Sequence, residues 1–519
     1  MKKNINKKES SIGLVFSAKY TSTSYNHTMV IKDDDTLWGF GNNNYGQLGD
    51  GTITDRPKPV KIMEDVKFVL AKGGRTMIIK SDNTLWGFGR NLYGQLGDGT
   101  TTEQHIPVKI MDDVESVFAR GGRTMIIKSD NTLWGFGRNL YGQLGDGTTT
   151  TRHKPVKIMD SVKSVSLGDW HTMVIKNDNT LLGFGWNENG QLGDGTTTDR
   201  HTPVKIMDAI KSIFTDTAHT MVIKNDDSLW GFGWNVCGRL GDGTTTDRHA
   251  PVKIMDAVRS VSAGDDHTMV VKNDNTLWGF GWNRNGQLGD STTYDRHTPV
   301  KIMDSIKSVF TGIAHTFVIK NDDTLCGFGW NNFGQLGNGT TADSPTPVKI
   351  MSDVKSISVG SLHIMVIKND DTLWGFGWNN FGQLGDDTNT TRTTPIKIMD
   401  AGVKLPKKTV ASTATTTATN NSADITIIST PSSIQKSDSA HSIDSVDGFT
   451  LETAKNALKK GLGVDAVSRV TGIPKATITS LSIKLKAQEL AINLLKEELS
   501  IDDIADIVGL PKSEIEKLK

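Results

Sequence analysis

Residues 171–207 read HTMVIKNDNTLLGFGWNENGQLGDGTTTDRHTPVKIM, and close variants of this stretch recur along most of the chain. One position marks the register: residues 38, 86, 134, 182, 230, 278, 326 and 374 stand 48 apart without a slip, holding Trp in six copies, Leu182 in the fourth and Cys326 in the seventh. A fixed period of this size signals a repeat architecture, in which each supersecondary unit buries its faces against its neighbours. Residues 73–102 and 121–150 are identical, so one duplication is recent.

Four short β segments fit one copy: Val162–Leu167, His171–Lys176, Thr180–Trp186 and Pro203–Met207. Asn177 and Asp178 are expected to close the hairpin between the second and third, because Asn and Asp tolerate positive φ. In the third strand of the fifth copy, Leu229 to Trp234, alternation puts Trp230, Phe232 and Trp234 on one face and Leu229, Gly231 and Gly233 on the other. Stacked radially, the aromatic face of one sheet would enter the glycine-lined face of the next. A Trp buries about 150–250 Å², so the copies carrying Leu182 and Cys326 are expected to be softer. The reading is an all-β propeller of eight four-stranded blades. In the first copy Ala18 to Ser24 lacks the Val/Ile pattern of a first strand, and the segment near Val403 is expected to complete that blade.

GQLGDG, the aromatic-Gly-x-Asn before it and the His-Thr opening the second strand together resemble the repeat of the regulator of chromosome condensation family, over residues 17 to about 400. Propellers of that family usually have seven blades; eight in-register copies imply eight here. The resemblance implies a binding protein, with no enzymatic activity and no cofactor. Two further activities of the family stand as alternatives: guanine-nucleotide exchange on a small GTPase, and inhibition of an enzyme. Exchange relies on inserted loops, and all eight copies here keep the same length. The signature of the family's plant UV-B photoreceptor is echoed only in part, by Asp169 to Thr172.

Composition limits the partners. Lys+Arg and Asp+Glu both number 58, so no net field favours nucleic acid or a membrane surface. Cys237 and Cys326 occupy different repeat positions and form no disulfide framework. The N-terminus carries no apolar run of signal-peptide length, which makes a cytoplasmic protein without membrane attachment the expectation.

Several motifs invite chemistry and read better as structure. Gly-Phe-Gly lacks the spacing and following helix of a dinucleotide site. Asp-Gly-Thr-Thr-Thr-Asp lacks the alternating carboxylates of a calcium loop, so Asp and Thr are expected to cap turns. Histidines 27, 171, 219, 267, 315 and 363 open second strands, with Arg75 and Arg123 in the second and third copies; 105, 153, 201, 249 and 297 lie on the rim loop. One per blade is the spacing of a structural repeat, so hydrogen bonding within or between blades is expected and no metal site is.

Two series remain as partner-binding candidates. The residue after Gly-Phe-Gly runs Asn42, Arg90, Arg138, Trp186, Trp234, Trp282, Trp330, Trp378, an arc of the residue types enriched at binding hot spots, unless it merely extends the packing of Phe. The pair before the strand histidine varies most, and there Trp170, Asp265 and Asp266 stand out.

From about 409 the chain turns Ser- and Thr-rich, then helical in pattern, with Gly472-Ile473-Pro474-Lys475 echoed by Gly509-Leu510-Pro511-Lys512. The expected organisation is a tail over 1–16, the propeller over 17–408, a linker over 409–449 and tandem helical hairpins over 450–519. The hairpins are similar to small helix-turn-helix units, which implies self-association or partner docking, or nucleic-acid contact; the acidic second hairpin (Asp502, Asp503, Asp506) argues against DNA.

Overall fold

In the computed structural model the described residues are 21–24 and 26–400. They form eight separate four-stranded antiparallel sheets, each built from one contiguous repeat with its strands in sequence order. Blade 1 spans Thr21–Met63, and blades 2 to 8 begin at Val66, Val114, Val162, Ile210, Val258, Ile306 and Val354. The ring therefore has eight blades. The first strands line its inner rim, and the half-exposed fourth strands, such as Arg200–Met207, form the outside. The linker and helical hairpins expected beyond residue 409 lie outside the described residues, and no helix among those described is long and apolar enough to cross a membrane.

In blade 4 the first two strands fall on Val162–Leu167 and His171–Lys176, the third on Leu181–Gly185 and the fourth on Arg200–Met207. Antiparallel order puts the turn at 168–170 and the loop at 186–199 on one face, here the loop face, and the hairpin at 177–180 on the other. That hairpin differs from its expected chemistry. Positive φ falls on Asn179 (65°) rather than on Asn177 or Asp178, while Asp178 Oδ1 accepts the Thr180 amide at 3.0 Å.

The aromatic face does enter the neighbouring blade, with two changes of detail. Phe232 is fully buried and lies over Gly193 of the preceding blade, where an added Cβ would meet the ring at 2.7 Å; seven other Phe–Gly joints repeat this around the ring. Trp230 is only half-buried, its indole N–H donating to Ser228 Oγ at 2.9 Å. The bare Gly231 is covered from within its own blade by Met221 and Leu240. Apolar clusters accordingly straddle blade pairs, as where Met173, Ile175, Leu181 and Leu192 of blade 4 meet Ile210, Val222 and Phe232 of blade 5. Where Leu182 removes the indole, the Thr180 hydroxyl turns to Asp208 Oδ1 instead.

Ring closure overturns the expectation placed on Val403, which lies outside the described residues. Thr21–Thr23 is the first strand of blade 1, paired with Thr28 to Val30. Hydroxyls replace aliphatic packing: Thr23 Oγ1 lies 2.9 Å from Ser358 Oγ of blade 8, and Ser22 Oγ accepts the Ala71 amide of blade 2 at 2.8 Å. The same Ser–Thr pair joins Ser166 to Thr215 and Ser262 to Thr311, so the closing joint copies two internal ones.

Gly193 has φ +73° besides its ring contact, whereas Gly195 has φ +82° and nothing within 4 Å. Gly195→Ala should cost about 1–2 kcal/mol of left-handed backbone strain, and Gly193→Ala about 3 kcal/mol or more through added overpacking. Urea unfolding of the two variants measures the difference.

Candidate functional site

The two candidate series meet on the loop face. The amide of each residue after Gly-Phe-Gly donates to the carbonyl of the residue before the strand histidine or arginine: Arg90 to Gly74, Arg138 to Gly122, Trp186 to Trp170, Trp234 to Ala218, Trp282 to Asp266, Trp330 to Ala314 and Trp378 to Leu362. The second glycine of Gly-Phe-Gly makes this approach, since at Gly185 (φ +105°) a Cβ would lie 2.5 Å from the Trp170 carbonyl oxygen. The motif thus serves close backbone packing.

The arc is not a bare aromatic shelf. Arg90 lies over Tyr45 at 5.2 Å, and Arg138 lies between Tyr93 at 5.1 Å and Trp170 at 4.3 Å. Tyr141 meets Trp170 at 5.5 Å and Trp186 at 6.3 Å. Phe333 stands between Trp330 (5.5 Å) and Trp378 (6.1 Å), and Phe381 meets Trp378 at 5.3 Å. Trp234 is covered by Arg239 at 4.0 Å, and Trp282 is half-buried beside the Asp266 turn. The loop aromatics Tyr45, Tyr93, Tyr141, Phe333 and Phe381 were not singled out from the sequence, although all occupy the position before Gly-Gln-Leu-Gly.

Inside this arc the inner rim carries buried charge. Arg120 Nε lies 2.7 Å from Asp169 Oδ1, and its Nη2 pairs with Asp216 of blade 5. Arg239, which replaces the usual Gln of GQLG, pairs with Asp266 at 2.6 Å and donates to the Asp265 carbonyl at 3.0 Å. Burial, reinforced by Asp216 and Asp266, holds the Asp265 carboxyl well above the usual carboxylate range. Burial and Arg120 bring Lys72 down to about 7. The rim is polar in both senses: basic at Lys72 and Arg120 in blades 2 and 3, acidic at Asp169, Asp216, Asp265 and Asp266 in blades 4 to 6, apolar at Ile313 and Leu362 in blades 7 and 8. Lys72, Arg120 and Asp216 stand where other copies have Gly168, Gly264, Gly312 and Gly360, a departure readable in the sequence.

The remaining candidates are structural. Asp194 Oδ1 accepts from the Thr196 amide and from Asn187 Nδ2, both at 3.0 Å, and its Oδ2 from Arg200 Nε at 2.6 Å. Each strand Thr hydroxyl donates to a loop carbonyl of the preceding blade, as Thr76 to Gln47 at 2.8 Å, so its oxygen accepts from the histidine there: His27 at 3.2 Å, and likewise His171, His267 and His363. That assigns the proton to Nε2. In blades 2 and 3 Arg75 Nη2 and Arg123 Nη2 instead reach the Arg123 and His171 carbonyls, each at 2.6 Å. Among the described residues no group of three or more His, Cys, Asp or Glu side chains could hold a metal ion, and both cysteines are free.

This geometry defines a contiguous-repeat propeller with a charged rim. Sequence-family comparison agrees: residues 20–257 match the RCC1-like domain, and residues 258–287, 274–319, 322–367, 354–383 and 370–418 match regulator of chromosome condensation (RCC1) repeats. Through its propeller the chain belongs to the regulator of chromosome condensation repeat family. Its fold is similar to that of human WBSCR16 (TM-score 0.53, 19% identity, 64% of this chain and 97% of that one). It is also similar to Prp20p from Saccharomyces cerevisiae, described with its binding to Gsp1p and histones (0.52, 18%, 66% and 91%), and to yeast RCC1 (Prp20) bound by Kap60 (0.51, 17%, 70% and 93%). No curated protein matches the chain.

Burial places His27, His315 and His363 at about 3 and His267 at about 4. Unfolded histidine takes up its proton near 6.5, so below that pH the unfolded chain binds more protons and stability falls as pH falls. Urea titrations between pH 7 and 5 should show a loss approaching about 1.4 kcal/mol per pH unit for each of these histidines below 6.5. Arg120→Met leaves Asp169 and Asp216 buried without their cation and should cost about 3–5 kcal/mol in the same assay at pH 7.

Proposed function

We propose that the chain is a cytoplasmic, non-enzymatic interaction scaffold that engages a protein partner through the inner rim and arc of its loop face. One observation carries this reading. In a chain whose copies are otherwise near-identical, the residues that differ most converge on a single rim, where backbone bonds between turn and loop join Arg138 to Gly122, Trp186 to Trp170 and Trp282 to Asp266, and Arg239 holds the Asp265 carbonyl. Variation held on a rigid frame is how propeller loops encode a partner. Exposed Leu92 and Leu140, at one repeat position beside the arc, add apolar contact surface.

Exchange on a small GTPase is the second reading, favoured by the fold shared with a protein described by its binding to Gsp1p. Incubating the full chain with nucleotide-loaded GTPases of its host tests it: accelerated release supports exchange, and an unchanged rate leaves scaffolding.

A photo-crosslinking residue placed in the full chain at Trp282 or Leu140, on the loop face, should capture a discrete partner in the native host. The same residue at Asp178, on the opposite face, should not. Equal capture from both faces would remove the assignment.

A further inference from the structure

We propose that Arg138 forms a notch that receives a carboxylate side chain from an acidic segment of the protein partner; this rests on the loop face being the partner surface. Arg138 is 5% exposed, its guanidinium covered on two sides by Tyr93 and Trp170, and its Nε and Nη1 find no acceptor among the described residues. A buried, uncompensated guanidinium is costly, and nature seldom keeps one without a use.

The repeat shows what is missing. Thirteen residues beyond the arc position, most copies carry a carboxylate: Asp55, Glu103, Asp199, Asp247, Asp295 and Asp343. Asp55 lies 3.3 Å from Asn42 Nδ2 and accepts the Asn43 amide at 2.8 Å, a backbone contact that Asp199, Asp247, Asp295 and Asp343 repeat, while burial pushes the Glu103 carboxyl up and Arg90 draws it partly back. In blade 3 that position is Thr151, although blades 2 and 3 are identical over the thirty residues before it. Neighbouring acids do not substitute, because Asp169 and Asp216 both pair with Arg120. Arg123 is likewise engaged, with the carbonyls of Gly168, Asp169 and His171.

With its faces covered and Nε and Nη1 shut off from solvent, the guanidinium meets a carboxylate oxygen through Nη2, in a charge-assisted hydrogen bond. A nucleic-acid strand needs a track of exposed cations, and here the rim turns acidic one blade further on. Leu140, 53% exposed, is two residues from Arg138 and gives an apolar shoulder beside the notch.

The test is fluorescence anisotropy with the full chain and a fluorescein-labelled, capped heptapeptide holding two glutamates among leucines and glycines. Glutamine and phosphoserine versions of the peptide and a single-stranded oligonucleotide serve as comparisons. The glutamate peptide should bind at least about tenfold tighter than the glutamine peptide, a difference set by a charge-assisted pair. Arg138→Gln should abolish that preference. Thr151→Glu, which installs the missing carboxylate in cis and leaves Arg138 in place, should abolish it as well and raise Tm. Absence of binding by any peptide at millimolar concentration, equal binding of the glutamate and glutamine peptides, persistence of the preference in Thr151→Glu, or a stronger preference for phosphoserine or the oligonucleotide would each overturn the proposal. Crosslinked partner capture unchanged by Thr151→Glu would remove this notch while leaving the loop face as the partner surface.

Discussion

Everything in this ring hangs on one joint: a phenylalanine of each third strand pressed onto a left-handed glycine in the loop of the preceding blade, as Phe232 on Gly193 and, across the closure, Phe40 on Gly385. The ring carbon would stand 2.7 to 2.8 Å from any Cβ at those two sites, so the glycine is fixed by space and by φ at once. A close, side-chain-free contact of this kind tolerates little displacement, and repeating it eight times sets both the distance and the angle between blades. In every blade but the eighth, where Ile364 stands instead, the threonine hydroxyl of the second strand donates to the neighbour's loop carbonyl beside the joint and satisfies a polar group that the packing would otherwise bury unpaired.

Most of the fold was legible because period, alternation and turn residues agreed with one another. The Trp230–Phe232 alternation identified the packing face, yet it ranked the larger ring as the anchor. Trp230 carries a polar N–H that needs Ser228 at the edge, whereas Phe232 has none and can be buried entirely. Closure was misread for a related reason. Thr21 to Thr23 looks wrong for a strand when strands are recognised by aliphatic side chains, but at this rim the interblade bond is made by hydroxyls, and Thr23 stands in register with Thr215 and Thr311.

The site was half legible. Arg138, Trp170, Asp265 and Asp266 stood out as departures from a constant frame, while their partners did not. Tyr93 and Tyr141 look like ordinary loop residues until the ring brings adjacent blades together, and the pairing of Arg120 with Asp216 spans two blades. Lys72 and Arg120 were visible as exceptions to a glycine position. What no linear reading gives is which exceptions face one another, because that depends on the order of blades around a closed circle. Once closed, the rim holds charges of both signs in near-complete burial, an arrangement that only a stiff scaffold sustains.

The contiguous repeat has a genetic consequence as well as a mechanical one. Because every blade is one uninterrupted unit and two of them share thirty identical residues, recombination between those segments removes or adds a whole blade in frame, never a fraction of one. The resulting ring would still possess a complete set of joints, each asked to bend by a few degrees. The stiffness of the phenylalanine–glycine contact is therefore what polices blade number, acting on the protein as a proofreader of its own gene.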